Sequence, residues 1–261
     1  MDLGLRGKTA LVLAGGGGLG RAIARALAAE GAHIAVAGRH SVSVDTTIAA
    51  LAGTGGNSLG LVWDLADLSA INANIARIER ELGAVDILVN NTGGPPPTTA
   101  AGQDSALWSK YFEAMVLSVI ATTDRVLPGM RQRRWGRIIT STSSGMVAPI
   151  PNLGLSNALR MSLAGWSKTL AREVARDGIT VNVIVPGRIA TDRLRFLDAE
   201  RAKREGRAVE DVMAEGQASI PMGRYGKPEE YGDVVTFIAG ERAAYITGSV
   251  IRVDGGMIPS V

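Results

Sequence analysis

The chain has 261 residues, 46% of them apolar, and a net charge of +3 from 28 basic and 25 acidic side chains. That length suits one large α/β unit or two small ones, no apolar stretch reaches a membrane span, and no secretory signal pattern opens the chain, so a cytoplasmic protein without a membrane partner is the default expectation. There is no cysteine, which excludes disulfides, thiolate metal sites and a cysteine nucleophile, and the two histidines, His33 and His40, do not make a metal site alone.

Residues 9–14 read as a first strand, running into four consecutive glycines, Gly15 to Gly18. A helix is predicted over 20–30, with Ile23 and Leu27 four apart and Gly31 as its stop. Residues 33–37 form a second apolar run, followed by Gly38 and Arg39, a helix over 41–51 and a turn at 53–56. Residues 59–63 are a third strand closed by Asp64. The stripe Leu68, Ile71, Ile75, Ile78 and Leu82 predicts a helix over 67–82. A fourth strand at 85–89 leads to Asn90, Asn91, Thr92 and Gly93, and then to three consecutive prolines that fit neither strand nor helix.

A long helix is predicted from 104 to about 127, stopping at Pro128 and Gly129, with a fifth strand at 137–140. The basic cluster Arg131, Arg133, Arg134 and Arg137 reads as a solvated loop rather than a nucleic-acid surface. Leu155, Leu159, Leu163, Trp166, Leu170 and Val174 mark a helix over 155–174. A sixth strand at 180–185 ends in Pro186 and Gly187, a helix spans 228–239, and a seventh strand spans 249–253. Residues 191–221 break the rhythm. They are rich in charge and read as an inserted helical lid on the substrate side of a single unit spanning 1–261.

Alternating strands and helices imply a doubly wound parallel sheet of Rossmann type, seven strands with helices on both faces. Ligands bind such sheets beyond the carboxyl ends of the strands, so the residues after each strand carry the functional reading. The glycine run between a strand and a helix fits a phosphate-binding turn, where glycines let the backbone approach a ligand and the helix start presents N–H groups and a positive dipole end. Several Gly-x-Gly registers fit, involving Gly16, Gly18 and Gly20. After the second strand there is no carboxylate to meet a ribose 2′-hydroxyl, and Arg39 suits a 2′-phosphate, so NADP(H) is expected over NAD(H). Asp64 is placed either to accept from an adenine amino group or to cap the following helix. Asn90 and Asn91 are placed to tie the fourth strand to its neighbour and to a cofactor ribose, and Ile189 to sit by the nicotinamide amide.

Over essentially its full length the chain resembles the short-chain dehydrogenase/reductase family. The resemblance rests on the glycine turn, the Asn90-Asn91-Thr92-Gly93 box, Pro186-Gly187-x-Ile189-x-Thr191-Asp192, the run from Pro221 to Glu230, and Thr247-Gly248 with Val253-Asp254-Gly255-Gly256. It implies NAD(P)(H)-dependent reduction of a carbonyl or oxidation of an alcohol, on a small-molecule substrate. It also implies cofactor contacts from Ala14, Gly15, Gly16, Gly17, Leu19, Arg39, Asp64, Leu65, Asn91, Arg160 and Ile189. The helices over 104–127 and 155–174 and the last strand become subunit contacts of a homotetramer. Residues 95–97, 146–151 and 191–221 are expected to line the substrate pocket.

The same resemblance locates the chemistry and its departures. The family uses a tyrosine as proton donor, a lysine four residues later, a serine thirteen residues before the tyrosine, and an asparagine in the preceding long helix. Aligned without gaps, Ser143 keeps the serine position, while Ser156, Arg160 and Met115 stand where the tyrosine, lysine and asparagine are expected. A serine hydroxyl is far less acidic than a phenol near pKa 10, and an arginine holds charge without shuttling a proton. Ser143, Ser156 and Arg160 are the catalytic candidates. The turn also departs from the family, with Leu13 and Ala14 where a threonine and a glycine are usual.

The expectation is therefore an NADP(H)-dependent oxidoreductase with an altered proton path, in which Ser143 and a water supply the proton and Arg160 stabilises the oxyanion. The alternative is a catalytically inactive cofactor-binding protein, a sensor or a partner subunit. A third reading keeps the fold for another purpose with no nicotinamide bound. None of the other tyrosines, Tyr111, Tyr225, Tyr231 and Tyr245, occupies a family active-site position.

Overall fold

A computed structural model of the chain describes residues 1–260. Its centre is a seven-stranded sheet in the order β3-β2-β1-β4-β5-β6-β7, parallel at every pairing. The strands are β1 (Thr9–Val12), β2 (His33–Gly38), β3 (Ser58–Val62), β4 (Ile87–Asn90), β5 (Gly136–Ser141), β6 (Ile179–Pro186) and β7 (Val250–Val253). Strand order reverses between β1 and β4, where neighbouring connections depart to opposite faces and leave a crevice at the strand ends.

Side-chain alternation along β1 builds both layers. Ala10 and Val12 point into a core with Ile23 and Leu27 of α1 (Gly18–Ala29), Val44 of α2 (Ser41–Ala50), and Tyr231 and Val235 of α9 (Pro228–Ala239). Leu11 and Leu13 point the other way. They pack with Ile75 and Ile78 of α3 (Ile71–Glu81), Val126 of α5 (Ser118–Arg133), and Leu170 of α6 (Gly154–Val174). Every residue of β1, β4, β5 and β6 is buried, as expected of central strands covered on both faces.

The helix expected over 104–127 differs in two ways. It divides into α4 (Ser105–Phe112), a π turn over Glu113–Leu117, and α5, and it continues through Pro128 and Gly129. Proline costs the helix one N–H donor, but Val126, Leu127 and Met130 are buried against the sheet, and that packing carries the helix across the break. It ends at Arg134, in the left-handed conformation at φ 57°. The neighbouring basic cluster is not a solvated loop. Arg131 and Arg133 lie in the last turn of α5 and pair with Asp177 and Asp86, while Arg137 is buried in β5 against the Trp135 ring.

The segment predicted as a lid forms two helices, α7 (Asp192–Glu205) and α8 (Val209–Ala218). Arg201 and Arg207 both bridge Glu205 and Glu215, clamping one helix to the other. No helix of the described residues is long and apolar enough to cross a membrane, and no metal-binding cluster occurs among them.

Candidate functional site

A cleft runs along the carboxyl ends of the strands as two adjoining cavities that share Ala14, Gly93 and Gly94. The larger, about 440 Å³, brings together Gly17, Leu19, Asn91, Ser143, Ser156, Arg160 and Ile189. The smaller, about 160 Å³, holds Arg39, Asp64 and Leu65. Of the predicted site residues, Gly15 and Gly16 face away from both. A Cβ on Gly15 would stand 2.9 Å from Val36, and one on Gly16 would stand 2.7 Å from the Ser43 hydroxyl. These two glycines let the turn lie close against β2 and the start of α2.

The turn fits an anionic ligand. Gly17 precedes α1 without a side-chain cap, and the first turn of α1 contains no acidic residue. Its N–H groups and positive dipole end are therefore left to the cleft. Gly17 has open space around it. Gly20 is a strict requirement of the turn, since a Cβ there would sit 2.4 Å from the Ala14 carbonyl oxygen. Ala14 itself adopts φ 47°, a left-handed conformation unusual for a residue with a side chain. The Asn91 amide donates to the carbonyls of Leu13 and Ala14 at 3.2 and 3.4 Å and holds the turn against the end of β4. Asn90 instead donates to the Thr123 hydroxyl of α5 at 3.2 Å.

At the far end, Arg39 is exposed and no carboxylate pairs with it among the described residues. Asp64 accepts from the Ala66 amide at 3.1 Å, a local turn, and the cap of the following helix is Asp67, which accepts from the Ser69 amide. The capping alternative for Asp64 is thereby corrected, and one of its oxygens stays available to the cleft.

Ser143 follows β5, and its hydroxyl oxygen accepts from the Gly145 amide at 3.2 Å. Ser156 and Arg160 lie one turn apart on the sheet-facing side of α6, 7% and 8% exposed. The Arg160 guanidinium donates to three backbone carbonyls, Ser141 at 3.4 Å, Thr92 at 3.3 Å and Gly93 at 3.1 Å. Burial, reinforced by the neighbouring Arg193 charge, pulls its pKa down from the usual guanidinium range to about 10. It remains a cation at neutral pH with no carboxylate in reach among the described residues. Met115 is buried in the π turn and lines the smaller cavity, and a π turn inside a helix is a frequent mark of a functional site.

Two wall residues are not singled out by the sequence: Tyr111, which has no expected place in the site, and Arg193, which is expected only within the lid 191–221. Tyr111 and Met115 stand four apart on the α4–π segment and enter the smaller cavity together. Arg193 enters the larger one from the start of α7, and its Nη2 donates to the Pro95 carbonyl at 2.7 Å across the cleft. Helical spacing from Met115 was the available signal for Tyr111. For Arg193 the signal is partial, since the arginines of the lid 191–221 are expected to line the pocket and to tolerate an acidic tail on the substrate, but nothing in the sequence singles out Arg193 among them. Of the expected pocket-lining stretches, Pro97, Ile150 and Pro151 line an adjoining cavity with Ser143 and Leu197. Met146 does not, because it packs under the sheet with Val183, Val185 and Ile258. Tyr231 is fully buried behind Ser141, which lines the larger cavity; the two hydroxyls are 2.8 Å apart, and burial raises the tyrosine pKa.

Residues 13–258 match the family profile described as Enoyl-(Acyl carrier protein) reductase. The chain is 38% identical over 257 residues to 3-oxoacyl-(acyl-carrier-protein) reductase FabG of Escherichia coli (strain K12), covering 98% of this chain and 99% of the relative. It is 35% identical over 253 residues to Dehydrogenase/reductase SDR family member 4 of Sus scrofa, covering 97% and 88%. Among solved structures, L-sorbose reductase from Gluconobacter frateurii, complexed with NADPH and L-sorbose, superposes with a TM-score of 0.94 at 33% identity, covering 100% of both chains.

Proposed function

Because the chain belongs to the short-chain dehydrogenase/reductase family, we propose that it is an NADP(H)-dependent reductase of a small carbonyl compound, working with an altered proton path. The observation that carries this reading is the convergence of Ser143, Ser156 and Arg160 on the cavity that also holds the glycine turn and Ile189. NADPH is named in the solved complex of L-sorbose reductase, and the unpaired Arg39 gives this chain a partner for a 2′-phosphate. In this reading Ala14, Gly17 and Leu19 hold the diphosphate side of the cofactor, Asn91 a ribose, Asp64 and Leu65 the adenine side, and Ile189 the nicotinamide side, with Gly15 and Gly16 shaping the turn.

When bound, NADPH supplies a hydride for the carbonyl carbon. The Ser143 hydroxyl orients the carbonyl oxygen by donating to it. As the C=O electron pair moves onto that oxygen, the Arg160 cation favours the developing negative charge. A water held between Ser143 and Ser156 gives the oxygen its proton and is left as hydroxide, which takes up a proton from the buffer, so that one proton is consumed for each hydride transferred. Ser156 is too weak an acid to take this step itself, and Arg160, fixed by three carbonyls, supplies charge rather than a proton. The segment 191–221 serves as a lid, supported by the Arg193 contact to Pro95. A cytoplasmic homotetramer belongs to the same reading, its subunit contacts supported by the exposed apolar side chains of Met161 on α6 and Phe112 at the end of α4.

The test is NADPH oxidation by the purified protein over a panel of aldehydes, ketones and oxo acids. Turnover that falls by two orders of magnitude or more in Ser143→Ala is expected. NADPH binding with no turnover on any member would instead identify an inactive cofactor-binding protein.

A further inference from the structure

Resting on the reductase reading above, we propose that the substrate carries a free carboxylate close to its carbonyl, as in a 2-oxo or 3-oxo acid, and that Arg193 selects it with Arg160 behind. The segment 191–221 carries five arginines, and four of them are paired: Arg195 with Asp192, Arg201 with Glu205 and Glu215, Arg204 with Glu205, and Arg207 with Glu205 and Glu215. Arg188, which leads into this segment, pairs with Asp198. Arg193 alone of the five has no carboxylate within reach, and it is the one that faces the cavity.

Arg160 is equally uncompensated and almost fully buried. Three carbonyl dipoles satisfy part of its hydrogen-bonding capacity but not its charge. A buried cation without a counter-ion is costly in a finished protein, and the exposed Arg193 on the same cavity wall adds a like charge that disfavours it further. Both reach Gly94. A methyl group placed on Gly94 would lie 3.4 Å from Arg193 Nη2 and 3.6 Å from Arg160 Nη2, so the two guanidinium groups flank one glycine on the wall of the larger cavity. A carboxylate in that cavity, in front of the glycine, is placed to meet both, the strongest hydrogen-bonding arrangement available to it.

The cofactor has its own anion partners elsewhere, at the start of α1 and at Arg39. Arg193 Nη2 donates to the Pro95 carbonyl and its guanidinium stands beside the Phe196 ring, on the cavity that Ser143 and Ser156 also line. In this proposal the carboxylate lies beside the reacting carbon rather than on the diphosphate, and the NADPH affinity of Arg193 variants separates the two.

The experiment is a calorimetric titration of the protein, with and without saturating NADP⁺, using acetoacetate and 2-oxobutanoate and, separately, their methyl esters. NADPH oxidation with the same four compounds and NADPH affinity are measured in parallel. The acids are expected to bind about tenfold or more tightly than the esters. Arg193→Gln should abolish that difference while changing NADPH affinity less than twofold, and Arg193→Lys should keep part of it. A second variant, Gly94→Asp, brings a carboxylate of the protein up to the same two guanidinium groups and should weaken the acids more than the esters. Equal binding of acids and esters, or no binding of either, overturns the proposal. A tenfold loss of NADPH affinity in Arg193→Gln with the acid preference intact also overturns it and assigns Arg193 to the cofactor diphosphate. The two readings fail separately. Acid preference without NADPH oxidation removes the reductase and keeps the carboxylate site, whereas reduction of esters as fast as acids keeps the reductase and removes the site.

Discussion

Arg160 Nη2 donates to the carbonyl of Gly93 at 3.1 Å, so a cation on α6 fixes the turn that follows β4. The same guanidinium reaches Thr92 and Ser141, linking the ends of β4 and β5 from the cleft side. Arg160→Leu leaves these carbonyls without that donor in a buried place and is expected to destabilise the protein by about 1–3 kcal/mol. Arg160→Lys should recover part of the loss. Urea unfolding of the three proteins checks this, and an unchanged midpoint in Arg160→Leu would contradict it.

The glycine turn makes opposite demands at two neighbouring positions. Gly20→Ala drives a methyl group into the Ala14 carbonyl, 2.4 Å away. It should cost about 1–3 kcal/mol in stability, as overpacking does, and should abolish NADPH binding. Ala14→Gly relieves a left-handed alanine at φ 47°. That relief, about 1–2 kcal/mol, exceeds the entropic cost of glycine. The expected result is a melting temperature at or above that of the parent.

Arg39 is the basis for preferring NADP(H). Arg39→Ala should weaken NADPH by about 1.5–3 kcal/mol, the usual worth of a hydrogen bond to a charged group, and leave NADH nearly unchanged. Fluorescence titration with each nucleotide separates the outcomes. Equal loss for both would place Arg39 on the adenosine in general rather than on the 2′-phosphate.

The start of α9 is acid-sensitive in a defined window. Glu230 accepts from the Lys227 amide at 2.7 Å and pairs with Arg224, and its pKa drops from 4.5 to about 2, first through the Arg224 hydrogen bonds and then through that amide. A depressed carboxylate pKa stabilises the fold above its unfolded value and loses that contribution as pH falls toward the folded value. Glu230→Gln should therefore melt below the parent at pH 7, with the gap closing between pH 4.5 and pH 2. The pair is largely solvent-exposed, so the gap is small. A gap that widens on acidification would contradict the assignment.

The parallel sheet was legible because its apolar runs are short and separated by turn residues, and α1, α3 and α6 because Ile and Leu recur at helical spacing. Where local signals competed with packing, packing prevailed. Pro128 reads as a stop, yet buried Val126, Leu127 and Met130 hold the helix to the sheet beyond it. Arg137 reads as a solvated charge, yet its strand is central and buries it. The chain order of Ser143, Ser156 and Arg160 announced a cleft, and the structure does bring them to one cavity. The approach of Arg193 to Gly94 joins residues 99 positions apart through the folded lid, and no periodicity or spacing records that.

The central claim is hydride transfer without the usual proton donor, and its most direct test is isotopic. NADPH deuterated at the transferable C4 position is incubated with the protein and the carbonyl panel, and the products are analysed by mass spectrometry. The account expects deuterium at the carbinol carbon of an alcohol product, with the yield collapsing in Ser143→Ala. Tight NADPH binding with no deuterium in any product would contradict it and leave a cofactor-binding protein in place of an enzyme.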